Sequence, residues 1–114
     1  LGFIGANLAL NLSAQGAHVT LLDNLLPGAG GNEHNIHSFG DRVNAIQGDL
    51  RDPQVLEQCL PDQQYIFNLA GHTSHQESMR RHDLELEMNM RAQLSLLEGC
   101  RQHNPDARIV FAGR

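Results

Sequence analysis

The sequence predicts an α/β fold in which helices cover a parallel β-sheet. Four short apolar runs alternate along the chain with stretches that carry apolar residues at helical spacing. The runs are continuously apolar, which is typical of strands that are buried on both faces of a parallel sheet. The chain has 114 residues, of which 40% are hydrophobic and 18% are charged, so it is long enough for one domain and too short for two.

The first helix follows directly on the glycine pair Gly2 and Gly5. Gly16 ends the helical pattern at a position where helices commonly take a left-handed residue. We therefore expect the helix to stop just before Gly16. Its predicted apolar stripe consists of Ile4, Leu8, Ala9 and Leu12.

Four strands are predicted from their apolar and β-branched residues. Asp52 followed by Pro53 is a typical helix start, and this helix is expected to run to about Leu60. A longer helix is predicted from Asp83 to His103, and a short one from Asn32 to Phe39. The strands are His18–Leu22, Arg42–Gln47, Tyr65–Leu69 and Arg108–Ala112. The apolar stripe of the long helix is Leu84, Met88, Ala92, Leu96 and Cys100.

The chain begins on a helix, with no strand before it. In a doubly wound sheet of strand order 3-2-1-4-5, the first strand is central. We therefore expect a fragment that lacks the first, central strand, in which the neighbouring strands keep unpaired backbone groups along the gap. The alternative is a complete domain that starts with a helix.

Composition limits the partners and the compartment. The formal net charge is −5, so no feature favours a nucleic acid as partner. No apolar run approaches the length of a membrane span, and no signal peptide is evident. Cys59 and Cys100 fall in apolar-periodic stretches, so we expect reduced thiols near a core, as in a cytoplasmic protein.

The motif Gly2-x-x-Gly5 at the start of a helix is a candidate phosphate-binding turn. Small residues let a pyrophosphate approach the backbone, and the helix N-terminus supplies N–H donors and a positive dipole end. Asp23 follows the next strand, 18 residues after Gly5, where a carboxylate typically binds the adenosine ribose hydroxyls of a dinucleotide. Because no Arg or Lys precedes Arg42, the pattern favours NAD over NADP. The alternative for Asp23 is a loop aspartate that caps a turn.

Two later strand ends carry features of the same kind. Asp49 follows the second strand, where we expect its carboxylate to accept a hydrogen bond from the adenine amino group while Leu50 packs on the ring. The alternative for Asp49 is an ordinary strand-to-helix turn. Small and apolar residues after the third strand leave room for the dinucleotide at the carboxyl edge of the sheet. These residues are Leu69, Ala70 and Gly71.

Seven histidines raise the question of a metal site. The closest pairs, His34-x-x-His37 and His72-x-x-His75, lack carboxylates or cysteines at zinc-site spacing, so no metal site is predicted.

We place the polar loop after the third strand at the boundary between cofactor and substrate. Thr73 and Ser78 are its candidate substrate-side residues.

In their order and spacing, these motifs resemble those of the extended short-chain dehydrogenase/reductase family, the NAD-dependent epimerases and dehydratases of nucleotide sugars. The resemblance covers nearly the whole chain. Asn68 stands where the family usually has histidine, and Asn89 matches a characteristic asparagine. The matching segments are Gly2-Phe3-Ile4-Gly5, Leu22-Asp23-Asn24-Leu25, Gly48-Asp49-Leu50-Arg51-Asp52, Asn68-Leu69-Ala70-Gly71, Glu87-Met88-Asn89 and Ile109-Val110-Phe111-Ala112.

The resemblance implies a Rossmann-type fold and NAD as cofactor, with Phe3, Ile4 and Asn24 among the cofactor contacts. It also implies that catalysis uses a Ser or Thr and a Tyr-x-x-x-Lys pair. Gly113-Arg114 holds neither Ser nor Thr where the first is expected, the eight Lys and Arg are all Arg, and Tyr65 lies inside a strand. No catalytic residue is therefore assigned to these 114 residues.

The leading hypothesis is that residues 1–114 form a partial NAD-binding Rossmann domain of a nucleotide-sugar epimerase or dehydratase, similar to UDP-glucose 4-epimerase. The substrate is then a nucleotide sugar whose hydroxyl is oxidised through bound NAD, and neither nucleic acid nor a membrane is a partner. The resemblance and the helix Asp83–His103 also point to a homodimer. The alternatives are a non-catalytic dinucleotide-binding sensor or regulator and a non-functional truncated product.

Overall fold

The computed structural model describes residues 1–27, 41, 43–71, 83 and 87–112. The chain divides into two compact units, Leu1–Asp49 and Leu50–Arg114, which we call the first and the second unit. The predicted helix Asn32–Phe39 and the motifs His34-x-x-His37 and His72-x-x-His75 lie outside the described residues.

The first unit contains one helix and two strands that pair in parallel. Helix α1 is Phe3–Ala14, strand β1 is Val19–Asp23 and strand β2 is Val43–Gln47, each close to its predicted range. The register runs from Val19 opposite Val43 to Asp23 opposite Gln47, and α1 contacts β1. Gly16 has φ of 95°, which confirms the left-handed residue predicted after the helix.

Helix α1 buries most of the predicted stripe, since Ala9 is buried and Leu8 and Leu12 are half-buried, but Ile4 lies outside the buried face. Ala6 and Ala9 are its buried residues, whereas Ile4 is 67% exposed. Successive residues of an α-helix are rotated by about 100°, so Ile4 lies roughly 200° around the helix from Ala6. Burial of the two alanines therefore turns Ile4 outward, and the predicted stripe is wrong at this position.

The second unit contains a second parallel pair of strands and two further helices. Helix α2 is Pro53–Cys59, strand β3 is Tyr65–Asn68, helix α3 is Ala92–His103 and strand β4 is Arg108–Phe111. The β3–β4 register runs from Tyr65 opposite Arg108 to Asn68 opposite Phe111. Asp52 caps α2 as predicted, because its side chain accepts a hydrogen bond of 2.9 Å from the Gln54 N–H.

The core of the second unit lies between α2 and α3. Leu56 and Leu60 pack with Leu96 and Cys100, and Ile66 of β3 covers the cluster from one side. The predicted stripe of the long helix is thereby confirmed from Ala92 onward, whereas Leu84 and the Met88 side chain lie outside the described part of the chain. At the end of α3, the Asn104 Nδ2 donates to the carbonyls of Leu60 at 2.9 Å and Gln63 at 2.7 Å.

The predicted long helix contains a π-helical stretch. Glu87–Arg91 forms a π-helix, and the α-helix that follows it is Ala92–His103. A π-helical turn accommodates one extra residue per turn and often occurs at functional sites. Periodicity alone could not reveal it, because the apolar residues on either side keep a spacing of four.

Strand β4 also differs from expectation. All four of its residues are exposed, although its apolar sequence predicted burial on both faces. Among the described residues, the buried cluster takes Ile66 from β3 and no residue from β4. Burial of an apolar strand depends on a neighbouring layer, and the sequence of the strand does not specify that layer.

The close contact between α2 and α3 depends on Gly99. A Cβ at this position would lie 2.9 Å from Leu60 Cδ1 and 3.0 Å from Leu56 Cδ1. We expect Gly99→Val in the full-length protein to lower the free energy of unfolding by about 1–3 kcal/mol, because the branched side chain displaces the buried Leu56 and Leu60 side chains. Denaturant unfolding monitored by circular dichroism measures this change.

The matched control is Gln102→Val, which introduces the same side chain on an exposed position of α3. We expect this variant to change the free energy of unfolding by no more than about 0.5 kcal/mol. Equal destabilisation by the two variants would show that close packing at Gly99 is unimportant.

Candidate functional site

The carboxyl ends of β1 and β2 lie side by side in the first unit. Asp23 is opposite Gln47, and the Gly48 N–H donates to the Asp23 carbonyl at 3.0 Å, one residue beyond the strands. Parallel pairing thus brings Asp23 and Asp49, predicted from strand ends 26 residues apart, to one edge. The sequence-based expectation that these two strand ends share an edge is met.

The Asp23 carboxylate joins two segments of this edge. Its Oδ1 accepts a hydrogen bond of 2.8 Å from the Leu25 N–H, which caps the turn after β1. Its Oδ2 contacts the backbone nitrogen of Leu1, directly before Gly2. Asp23 therefore caps a turn, which is the alternative role that the sequence suggested for it. It also lies beside the start of the glycine turn.

The turn after β1 is held by two consecutive side-chain caps. The Leu26 N–H donates to Asn24 Oδ1 at 3.2 Å, in the same way as the Leu25 N–H donates to Asp23. Leu25 has φ of 52°, which is uncommon for a residue with a side chain. The two caps stabilise this conformation, so Asp23 and Asn24 are both fixed by their own turn.

The N-terminus of α1 has backbone donors that no side chain caps in the described part of the chain. Gly2 is the N-cap, with extended backbone and no side-chain cap, and the first turn contains no acidic residue. A Cβ built on Gly2 would meet no described atom within 4 Å. Phe3 and Ile4 are exposed, at 83% and 67%, and Gly5 is half-buried. The predicted glycine turn is therefore open on its outer side.

The second unit has an equivalent edge at the end of β3. Asn68 is opposite Phe111, and the Ala112 N–H donates to the Asn68 carbonyl at 3.2 Å. Asn68 is 5% exposed, and the predicted residues Leu69, Ala70 and Gly71 follow it. The residues expected at the end of the next strand, Gly113-Arg114, lie outside the described residues.

Helix α3 and the π-helix before it contribute two amides to this edge. Asn89 lies against Gly71, where an added Cβ would be 3.4 Å from Asn89 Oδ1. Gln93 bonds to Asn68 and donates to the Ala70 carbonyl at 3.2 Å. Sequence reasoning identified Asn89 and missed Gln93. The available signal was the spacing of four, which places Gln93 one helical turn after Asn89.

The Leu50 side chain contacts the core of the second unit. It is partly buried and packs against the cluster of Leu56, Leu60, Leu96 and Cys100. Its predicted contact with the adenine ring stays a prediction, since the side chain is only partly buried. Thr73 and Ser78, the candidate substrate-side residues, lie outside the described residues.

The described residues contain no cluster of three or more His, Cys, Asp or Glu that would hold a metal ion. Cys59 and Cys100 are buried and unpaired, and burial raises the pKa of both thiols, so they stay protonated at neutral pH. None of the helices in the described ranges has the length and apolar character of a membrane span.

Comparison with known proteins identifies the family. The model of the NAD dependent epimerase/dehydratase family matches residues 1–113. CDP-paratose 2-epimerase of Salmonella typhi is 32% identical over 116 residues, which cover 97% of this chain and 33% of that protein.

Solved structures show the fold. An epimerase of Methanothermobacter thermautotrophicus matches with a TM-score of 0.84 at 31% identity, over 96% of this chain and 32% of its own. UDP-glucose 4-epimerase of Thermus thermophilus in complex with NAD matches with a TM-score of 0.74 at 32% identity, over 89% of this chain and 31% of its own. The fold is the Rossmann-type α/β fold predicted from the sequence.

The chain spans about a third of the length of each of these three proteins. The family match, by contrast, extends over almost the whole of this chain. It includes the turn at Gly2, the carboxyl ends of the four strands, and α3 with the π-helix before it. The chain belongs to the NAD-dependent epimerase/dehydratase family.

Proposed function

We propose that residues 1–114 are part of the NAD-binding domain of a nucleotide-sugar epimerase or dehydratase. The observation that carries this proposal is the position of Asp23, whose carboxylate lies at the carboxyl end of β1 and beside the residue that precedes the glycine turn. A carboxylate at this point of a dinucleotide-binding fold accepts hydrogen bonds from ribose hydroxyls and repels a 2′-phosphate. Membership of an NAD-dependent family supports the same cofactor.

The residues of the first unit fit a dinucleotide. The turn Gly2-Phe3-Ile4-Gly5 presents uncapped N–H groups to the pyrophosphate, and its open outer side leaves room for the phosphate oxygens. Asp23 and Asn24 hold the adenosine ribose. Asp49, at the same edge, accepts from the adenine amino group.

The second unit supplies Leu50, Leu69, Ala70 and Gly71 to the proposed contacts with NAD. The last two are small, and both are exposed at the end of β3. Thr73 and Ser78 are proposed to face the substrate. When bound, NAD supplies the hydride acceptor for oxidation of a sugar hydroxyl. The described residues bind and orient this cofactor, and we assign no catalytic residue to them.

The proposed substrate is a nucleotide sugar, and the proposed reaction is similar to that of UDP-glucose 4-epimerase. Two relatives support this substrate class, since they are a CDP-paratose 2-epimerase and a UDP-glucose 4-epimerase. The full-length protein is tested by incubation with UDP-glucose and other nucleotide sugars, followed by NMR of the sugar. A full-length sequence without a Tyr-x-x-x-Lys pair, or binding of NAD without turnover, would favour the non-catalytic sensor instead.

We also propose a homodimer that forms through α3 and the π-helix before it. Met90, Leu94 and Leu97 are 64%, 68% and 54% exposed, and their spacing of four and three places them on one side of the helix. Large apolar side chains exposed together typically mark a protein–protein interface.

The two buried, unpaired cysteines support a reducing cytoplasm as the location.

The first test replaces the Asp23 carboxylate by an amide. Asp23→Asn keeps an oxygen that caps the Leu25 N–H but removes the negative charge. In the full-length protein we expect NAD binding to weaken by about 1–3 kcal/mol, roughly 5- to 150-fold in Kd, because charge-assisted hydrogen bonds to the ribose are lost. We also expect the preference for NAD over NADP to decrease. Isothermal titration calorimetry with each dinucleotide measures both effects.

Asp62→Asn is the matched control. It makes the same change of charge in the turn before β3, at the amino end of that strand and therefore away from the carboxyl edge. Asparagine tolerates the left-handed φ of 65° found at this position. We expect its NAD affinity to equal that of the wild type. Unchanged affinity and unchanged cofactor preference in Asp23→Asn would remove Asp23 from the cofactor site.

The second test concerns the homodimer. Leu94→Glu introduces a charge at the most exposed of the three apolar side chains on this face. We expect a shift from dimer to monomer in sedimentation velocity, because burial of an unpaired carboxylate in an apolar interface is costly. Gln102→Glu adds the same charge elsewhere on α3 and should leave the dimer intact. If Leu94→Glu sediments as the wild type does, the proposed interface is wrong.

A further inference from the structure

We propose that Gln93 is a positioning residue which, together with Asn68, fixes the backbone of Leu69–Gly71 for contact with the dinucleotide. The inference rests on the proposed function, because Leu69, Ala70 and Gly71 are among the proposed cofactor contacts. It adds a residue that acts through the backbone and does not itself contact the cofactor.

Three hydrogen bonds form a closed ring at the end of β3. The Asn68 Nδ2 donates to Gln93 Oε1, and the Gln93 Nε2 donates to the Ala70 carbonyl at 3.2 Å. The Ala70 N–H completes the ring by donating to Asn68 Oδ1 at 3.3 Å. Each of the three members gives one hydrogen bond and accepts one. The ring therefore has a single direction, and each side chain must both donate and accept a hydrogen bond to complete it.

The ring holds a segment that lies beyond the paired strands. The Ala112 N–H donates to the Asn68 carbonyl, and this bond follows the last register pair of β3 and β4. Residues 69–71 come after it, where side-chain amides hold the Ala70 N–H and carbonyl. Beyond the last strand pair, the ring supplies the hydrogen bonds that the sheet no longer provides. Asn68, which is 5% exposed, is the buried member of the ring.

Fixing Ala70 also orients the peptide groups on both sides of it. A trans peptide is planar, with its N–H and carbonyl pointing in opposite directions. The Ala70 N–H points to Asn68, so the Leu69 carbonyl of the same peptide is directed away from the ring. The Ala70 carbonyl points to Gln93, so the Gly71 N–H is likewise directed away from it. One acceptor and one donor are thereby presented in a fixed orientation, suited to a ribose hydroxyl and a phosphate oxygen.

The experiment uses two variants of Gln93 in the full-length protein. Gln93→Met keeps the length of the side chain and removes both hydrogen bonds. Gln93→Glu keeps an acceptor for Asn68 but places a second acceptor against the Ala70 carbonyl. Gln102→Met and Gln102→Glu are the matched controls, since Gln102 lies on the same helix, is exposed, and its Nε2 donates to Glu98 Oε1 at 3.2 Å.

We measure the Kd for NAD by calorimetry, the thermal midpoint, and amide hydrogen exchange at Ala70 and Gly71. We expect both Gln93 variants to raise the Kd roughly 5- to 50-fold and to accelerate exchange at these two amides. Both control variants should stay within about two-fold of the wild type. A purely structural role of Gln93 predicts instead that the thermal midpoint falls while the folded protein keeps its affinity for NAD.

Two outcomes would overturn the positioning role of Gln93, and a third would overturn the proposed NAD-binding function. If the wild type binds NAD and folded Gln93→Met binds it equally well, Gln93 is not a positioning residue. If Gln93→Met does not fold, Gln93→Glu decides, because wild-type affinity in that variant would show that the donor to Ala70 is unnecessary. If the wild type does not bind NAD, the proposed function falls, and the exchange rates alone decide whether the ring fixes the segment.

Discussion

Parallel pairing of the strands is the constraint on which both candidate edges depend. In the first unit, the register of β1 with β2 and the bond from the Gly48 N–H to the Asp23 carbonyl align the two strand ends. In the second unit, the register of β3 with β4 does the same for Asn68. Antiparallel pairing of either pair would place one of its strand ends at the opposite edge, so the direction of pairing turns separate sequence motifs into neighbours.

Side chains stabilise the backbone where each strand ends. Asp23 and Asn24 cap successive N–H groups after β1, and Asn68 with Gln93 holds Ala70 after β3. Beyond the last strand residue the backbone has no ladder of its own, so polar groups in the side chains complete it. The proposed function assigns cofactor contacts to these same segments. In that proposal, the side chains that hold the backbone also determine the geometry of the cofactor site.

Sequence reasoning was most accurate where a few neighbouring residues determine the structure. The left-handed Gly16, the Asp52 cap and the four strands depend on local backbone preferences and short-range hydrogen bonds. It failed where packing decides. The outward position of Ile4 follows from burial of two small alanines, and the exposure of β4 depends on the layers around the strand, which its own sequence does not specify.

The sequence by itself determined the order of helices and strands, the chemistry placed at each strand end, and the resemblance to an NAD-dependent family. Only the tertiary structure decided that Asp23 contacts Leu1, that Gln93 closes a ring with Asn68 and Ala70, and that Leu50 packs into the core. The physical reason is separation along the chain. Asn68 and Gln93 are 25 residues apart, and Leu1 and Asp23 are 22 residues apart. Only folding brings such residues within hydrogen-bonding distance, and local periodicity carries no information about which of them will meet.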